Sequence, residues 1–371
     1  MRIGILTDSL AADPRGGVGS YARALVREWS RAHEVWSIGS ARQAPDSGFA
    51  GHLRVSRWSW GWRRRIESRT DLVHCPQARD VPAWFYEIDR PRVVTIHGAT
   101  VFLFAGTGVA PPPTPSILRH REHPEAADLY VTVSRSAHKE VVEQYGLPAD
   151  RVVPIYNGVD TELFSPPSDK AAARRQACAR FGIPGPYLLH VSKYQPTKNG
   201  VRIVAAYRRL KESGFQELAL VLAGSTGWGY EPVAAAIARA ADRNIVRLGQ
   251  LQEPELVELY RGAEVFLFPS LHEGFGLPVL ESMACGVPAV VSNVFSLPEV
   301  AGDAAPAVNP ESEEEIAAAA ATLLGDAALY ERTRQAGLGR ARDFGWDASA
   351  RGHLEAFERA RQLYRARASR G

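Results

Sequence analysis

Cysteine is scarce in this chain. The three present, Cys75, Cys178 and Cys285, lie far apart with no CxxC pair. That excludes a disulfide frame or a zinc ribbon and suits reduced thiols in a cytosolic setting. Long apolar runs are missing too, and none approaches the length needed to cross a bilayer. Residues 1–8 turn polar too soon to read as a secretory signal. Nor is there an excess of charge of one sign. The 44 Lys and Arg against 41 Asp and Glu leave a formal net charge of +3, too small to argue for a nucleic-acid partner.

What is there is an ordinary globular balance, 45% hydrophobic and 23% charged over 371 residues, enough chain for two domains. Short apolar runs recur at 2–7, 34–38, 72–75, 92–96, 129–133 and 152–155, then at 187–191, 218–223, 245–248, 264–268 and 289–292. They are continuous rather than alternating, which predicts strands buried on both faces in parallel sheets. Two strand–loop–helix openings stand out. One runs through Gly16–Gly17 into a helix near 18–31, the other through the polar loop 192–199 into a helix near 201–213. The fold class is therefore α/β, with two doubly wound halves. The turn-rich stretch 157–167 marks the linker, and an Arg- and Ala-rich helix follows Trp346.

The most telling run is 269–281, Pro-Ser-Leu-His-Glu-Gly-Phe-Gly-Leu-Pro-Val-Leu-Glu. It follows an apolar strand and sets Glu273 on a glycine-rich turn and Glu281 inside the first turns of a helix. Pro278 suits the helix start, where its missing N–H costs nothing. The glycines let backbone approach a ligand. The helix start offers unpaired N–H groups and a partial positive charge, which favour phosphate. Two carboxylates beside a phosphate site can accept hydrogen bonds from hydroxyls on either side of it. A ligand with hydroxyls flanking a pyrophosphate is a nucleotide sugar.

The Glu273–Glu281 spacing, followed by Met283–Ala284–Cys285–Gly286–Val287–Pro288, resembles the family-4 retaining glycosyltransferases. The resemblance covers nearly the whole chain. It implies the GT-B architecture, two Rossmann-like domains facing a central cleft. On that basis residues 1–165 are the acceptor-binding domain and 166–346 the donor-binding domain. Residues 347–371 are then a helix returning to the first domain.

The resemblance also implies roles. Lys193 and Lys198 match the segment that clamps the diphosphate, although the family often has Arg where Lys193 stands, and Lys lacks the two-pronged geometry. The sequence has no Asp-x-Asp metal signal, so cations and backbone dipoles are expected to stabilise the leaving group. Glu273 and His97 are expected to orient the transferred sugar, with Glu281 on the ribose. The backbone of Gly274, Phe275, Gly276 and Leu277 would hold sugar and phosphate oxygens. Gly16 and Gly17 form either a loop over the donor phosphate or a plain tight turn. Gly224 would admit the donor to the backbone, and Arg247 falls where the nucleobase is held. Ser134–Arg135–Ser136 is either an N-cap or an anion site; His190 reads as structural.

No cofactor is expected beyond the nucleotide-sugar donor, a GDP- or UDP-hexose, and the second partner is a hydroxyl acceptor. Trp58, Trp60 and Trp62 before Arg63–Arg64–Arg65 mix aromatic and basic groups as membrane-surface segments do. A core helix with a solvated basic face is the preferred reading of the same residues. Peripheral membrane contact through the first domain is thus one expectation for a cytoplasmic protein. The segment 101–115 has the composition of a lid. A nucleotide-sugar epimerase on the same fold would act without acceptor, and a non-catalytic nucleotide-sugar-binding subunit would bind donor without transfer.

Overall fold

Thirteen strands are found among the residues that the computed structural model describes, 1–8, 16–40, 48–55 and 61–369. They make two separate sheets, parallel throughout. The first sheet contains β1 (Arg2–Leu6), β2 (Glu34–Gly39), β3 (Gly51–Arg54), β4 (Leu72–Cys75), β5 (Arg92–Ile96), β6 (Leu129–Thr132) and β7 (Val152–Pro154). Their spatial order is β3-β2-β1-β4-β5-β6-β7. The second contains β8 (Tyr187–Val191), β9 (Ala219–Ala223), β10 (Ile245–Leu248), β11 (Val265–Phe268), β12 (Ala289–Ser292) and β13 (Ala307–Val308), in the order β10-β9-β8-β11-β12-β13. Each order reverses direction once, between β1 and β4 and between β8 and β11. In doubly wound sheets that reversal opens a crevice at the carboxyl ends of the strands.

The chain divides into two units. Unit one comprises Met1–Leu103, Pro112–Gly158 and Trp346–Gly371, and unit two comprises Phe104–Pro111 and Val159–Gly345. The break at Gly158 lies ahead of the 165/166 boundary expected from the sequence. The reason is local: Val159 N–H bonds Phe344 O at 2.9 Å, and Phe164 packs 6.1 Å from Tyr260, both within unit two. The segment read as a lid also divides, with the short helix Thr100–Leu103 in unit one and Phe104–Pro111 in unit two.

Inside unit one the terminal helix Trp346–Ala368 packs on the helix Gly17–Trp29. A directional chain of buried hydrogen bonds fixes it. His353 Nδ1–H donates to Ser349 O at 2.8 Å, so Nε2 is left as an acceptor. The Tyr21 hydroxyl donates to it at 2.6 Å. Tyr21 in turn accepts from Thr95 Oγ1 at 2.9 Å, and Thr95 accepts from His74 Nε2–H at 2.9 Å. Trp29 Nε1–H reaches Ala350 O at 3.2 Å. Burial lowers the pKa of both imidazoles, that of His353 to about 4, so the network is built on neutral rings.

Candidate active site

The reversal in the second sheet sets the loop after β8, 192–199, beside the loop after β11, 269–276. Three hydrogen bonds join them. Leu271 N–H donates to Thr197 O at 2.8 Å, and Asn199 Nδ2 donates to Pro269 O at 2.9 Å. Lys198 Nζ donates to Glu273 Oε1 at 2.6 Å. Asn199 also reaches Pro310 O at 2.6 Å, and its backbone is left-handed at φ +61°. Asn tolerates that conformation at low cost. Sequence reasoning passed over Asn199, although the Asn199–Gly200 dipeptide is itself a signal for such a turn.

Lys198 and Glu273, inferred separately, therefore meet as an ion pair. Glu273 is buried and Lys198 half-buried. A third loop props the turn: Ser296 Oγ lies 2.8 Å from Glu273 O and 3.0 Å from Phe275 O, sharing its one proton between them. Gly276 caps the helix Leu277–Ala284 at φ +108°. A side chain there would meet Leu297 at 2.6 Å, so both backbone and packing demand glycine. Leu277 opens the helix and Pro278 takes its second position rather than its first. The first N–H groups of a helix have no i−4 acceptor, but here Pro278 has no N–H and that of Val279 is taken by Gly276 O at 3.0 Å, so Leu277 N–H is the donor the helix start presents.

Glu281 lies one turn along, half-buried, with Tyr260 O–H donating to its Oε2 at 2.9 Å. Desolvation pushes its pKa up to about 7, against the lowering effect of the Tyr260 bond. Lys193 is exposed on the 192–199 loop. Arg247 is exposed too, its guanidinium 5.1 Å from the centre of the Tyr230 ring. His190 is bonded at both nitrogens, to Leu267 O at 2.8 Å and Ser192 Oγ at 2.7 Å, as suits a structural residue.

At Gly224 a φ of +132° and a Ser192 O only 1.9 Å from where a Cβ would stand mean that glycine is required to admit the neighbouring loop. Its N–H is already taken by Leu248 O at 3.2 Å and Gly249 O at 3.1 Å.

In unit one, His97 follows β5 at its carboxyl end and donates from Nε2 to Pro76 O, beyond β4, at 2.8 Å. Nδ1 is thereby the acceptor nitrogen, and burial lowers the pKa of the ring. Gly16 precedes and Gly17 opens the helix Gly17–Trp29, which has no side-chain cap and no acid in its first turn. Ser134 is an N-cap, accepting from Ala137 N–H at 2.9 Å. Trp58 and Trp60 lie outside the described residues. Trp62 is half-buried, its ring 5.8 Å from that of Trp84, and Arg63 pairs with Glu67. Among the described residues no three His, Cys, Asp or Glu side chains gather as a metal site, and no helix is long and apolar enough to cross a membrane.

Two Rossmann-like halves, one carrying paired Lys198 and Glu273 with Glu281 in the following helix, define the class as a protein of GT-B fold. A model of the family Glycosyl transferases group 1 matches residues 180–340, and one of Glycosyltransferase Family 4 matches residues 15–163. D-inositol 3-phosphate glycosyltransferase of Kineococcus radiotolerans is 32% identical over 324 residues, 81% of this chain and 74% of that protein. O-antigen chain mannosyltransferase B of Escherichia coli is 33% identical over 226 residues, 60% of this chain but only 58% of that protein's length. HepE of Anabaena, solved with UDP and glucose, superposes with a TM-score of 0.78 over 96% of this chain and 99% of that one, at 16% identity. The chain belongs to the family-4 glycosyltransferases.

Proposed function

We propose that this protein moves a hexosyl group from a nucleoside diphosphate sugar to a hydroxyl acceptor, with retention and without a divalent ion. The Lys198–Glu273 pair carries the reading, because it puts a cation and a carboxylate on one glycine-rich turn at the start of a helix. In the reaction the bond from the anomeric carbon to the phosphate oxygen breaks. A bond to the acceptor oxygen forms on the same face, and the acceptor proton passes to the leaving phosphate. Lys198 and Lys193 neutralise the charge that develops, helped by the dipole of the helix Leu277–Ala284. Glu281 accepts from the ribose, and His97 offers Nδ1 to a sugar hydroxyl.

The Escherichia coli relative is a mannosyltransferase, which favours mannose as the transferred sugar. A thermal-shift screen of UDP, GDP and their hexoses sorts the base, since a ligand that binds only the folded protein raises its melting temperature. Calorimetry on Glu281→Ala then tests the site. Donor affinity should fall at least tenfold, and near-unchanged affinity would count against the assignment. Peripheral membrane contact rests on the exposed Arg64 and Arg65 of the helix Trp62–Arg69. Cosedimentation with anionic vesicles checks it.

A further inference from the structure

Glu281 has one oxygen committed before any ligand arrives. Its partner, Tyr260, comes from a different helix, Glu253–Gly262, and is fully buried. The Tyr260 ring is held edge-on by Phe266 at 5.5 Å and by Phe164 at 6.1 Å. Its hydroxyl is therefore a fixed point, while a glutamate side chain alone has three torsions to fix. We propose that Tyr260 is a positioning residue for donor binding, its hydroxyl pinning one oxygen of Glu281 so that the other is presented to the ribose. The inference rests on the donor reading above.

The charges around Glu281 give the idea a measurable signature. Glu253, on the helix of Tyr260, adds a like charge that raises the pKa of Glu281. Cys285, one turn further on, is a thiol whose own pKa burial pushes up to about 12, against the lowering effect of Arg261 and Lys170. Only the Tyr260 bond favours the ionised carboxylate, and desolvation outweighs it. The ionised form is the one that accepts from two ribose hydroxyls, so donor affinity should weaken as pH falls through about 7. Losing the Tyr260 hydroxyl removes the stabilisation of that form and moves the edge upward.

The experiment is calorimetric titration of UDP and of GDP into wild type, Tyr260→Phe and Glu281→Gln from about pH 6 to about pH 9. A single lost hydrogen bond shifts the edge of Tyr260→Phe up by about one pH unit, roughly a tenfold loss on the acidic limb, with affinity recovering at high pH. Superimposable profiles, or a loss equal at every pH, overturn the inference. Glu281→Gln should bind weakly with no edge of its own. If it binds as wild type does, the ribose reading itself fails, which is a different result. Should Tyr260→Phe not fold, Phe164→Leu, which loosens one of the two rings that hold Tyr260, replaces it. An edge moved upward supports the inference, and an unchanged edge overturns it.

Discussion

Lys198 and Glu273 lie 2.6 Å apart with side chains only 17% and 10% exposed, so each is the other's main compensation for lost water. Breaking such a pair from one side leaves a charge stranded in a poorly hydrated place. Lys198→Met should destabilise the protein by roughly 3 kcal/mol, read as a lower urea midpoint. Adding Glu273→Gln removes the stranded charge and should restore most of the stability. Transfer activity should be absent from both. A double variant no more stable than the single would show that the pair does not act through charge compensation.

Asn199 joins what the ion pair alone would leave loose. Its amide holds two carbonyls, Pro269 O and Pro310 O, and its backbone is left-handed. Asn199→Ala loses both donors and strains the turn, at a cost of about 2–3 kcal/mol. Denaturant unfolding should show a lower midpoint at unchanged slope. KM for donor should rise more than kcat falls, because the loop that carries Lys198 is no longer tied to the loop that carries Glu273.

Strands β4, β8 and β12 were legible to the residue because each is a buried, mostly apolar run between turns. The two strands that sequence reading missed, Gly51–Arg54 and Ala307–Val308, close the outer edges of their sheets. An edge strand is short and buried on fewer sides, so it need not be continuously apolar. The site divides the same way. Glu273 and Glu281 could be read from spacing along the chain, and Lys198 from the resemblance. That Lys198 meets Glu273 and that Tyr260 meets Glu281 could not, since those contacts join separate elements. At Gly224 the packing of one loop on another, which also demands glycine, was not legible, since it too joins separate elements.

Gly17 and Gly224 should therefore respond oppositely to alanine. At Gly224 the new methyl would collide with Ser192 O, in a backbone conformation that alanine avoids. A large drop in melting temperature is expected. At Gly17, the first helical residue, nothing lies within 4 Å of a Cβ. Stability should change by less than about 1 kcal/mol. Loss of transfer in Gly17→Ala at unchanged melting temperature would then report a ligand contact. Full activity would assign the glycine to the turn alone.

Buried neutral histidines set the acid limit of the fold. His120, His190 and His353 are all fully buried, and desolvation lowers each to about 4 from an ordinary 6.5. Between those values the unfolded chain binds protons that the folded chain refuses, so stability rises with pH across this window. It is complete above 6.5 and is lost on acidification, at about 1.4 kcal/mol per pH unit for each ring. His74 and His97, also lowered, act in the same direction. Glu281 opposes them: raised to about 7 from 4.5, it favours the fold while protonated and loses that contribution as pH rises. Several rings against one carboxyl leave a net fall in stability from about pH 6.5 to about pH 5, measurable by urea unfolding. His353→Phe forfeits the Tyr21 bond, but it should also make the slope shallower by about one proton. A flat profile would mean that these imidazoles take up protons in the folded state, contrary to their complete burial.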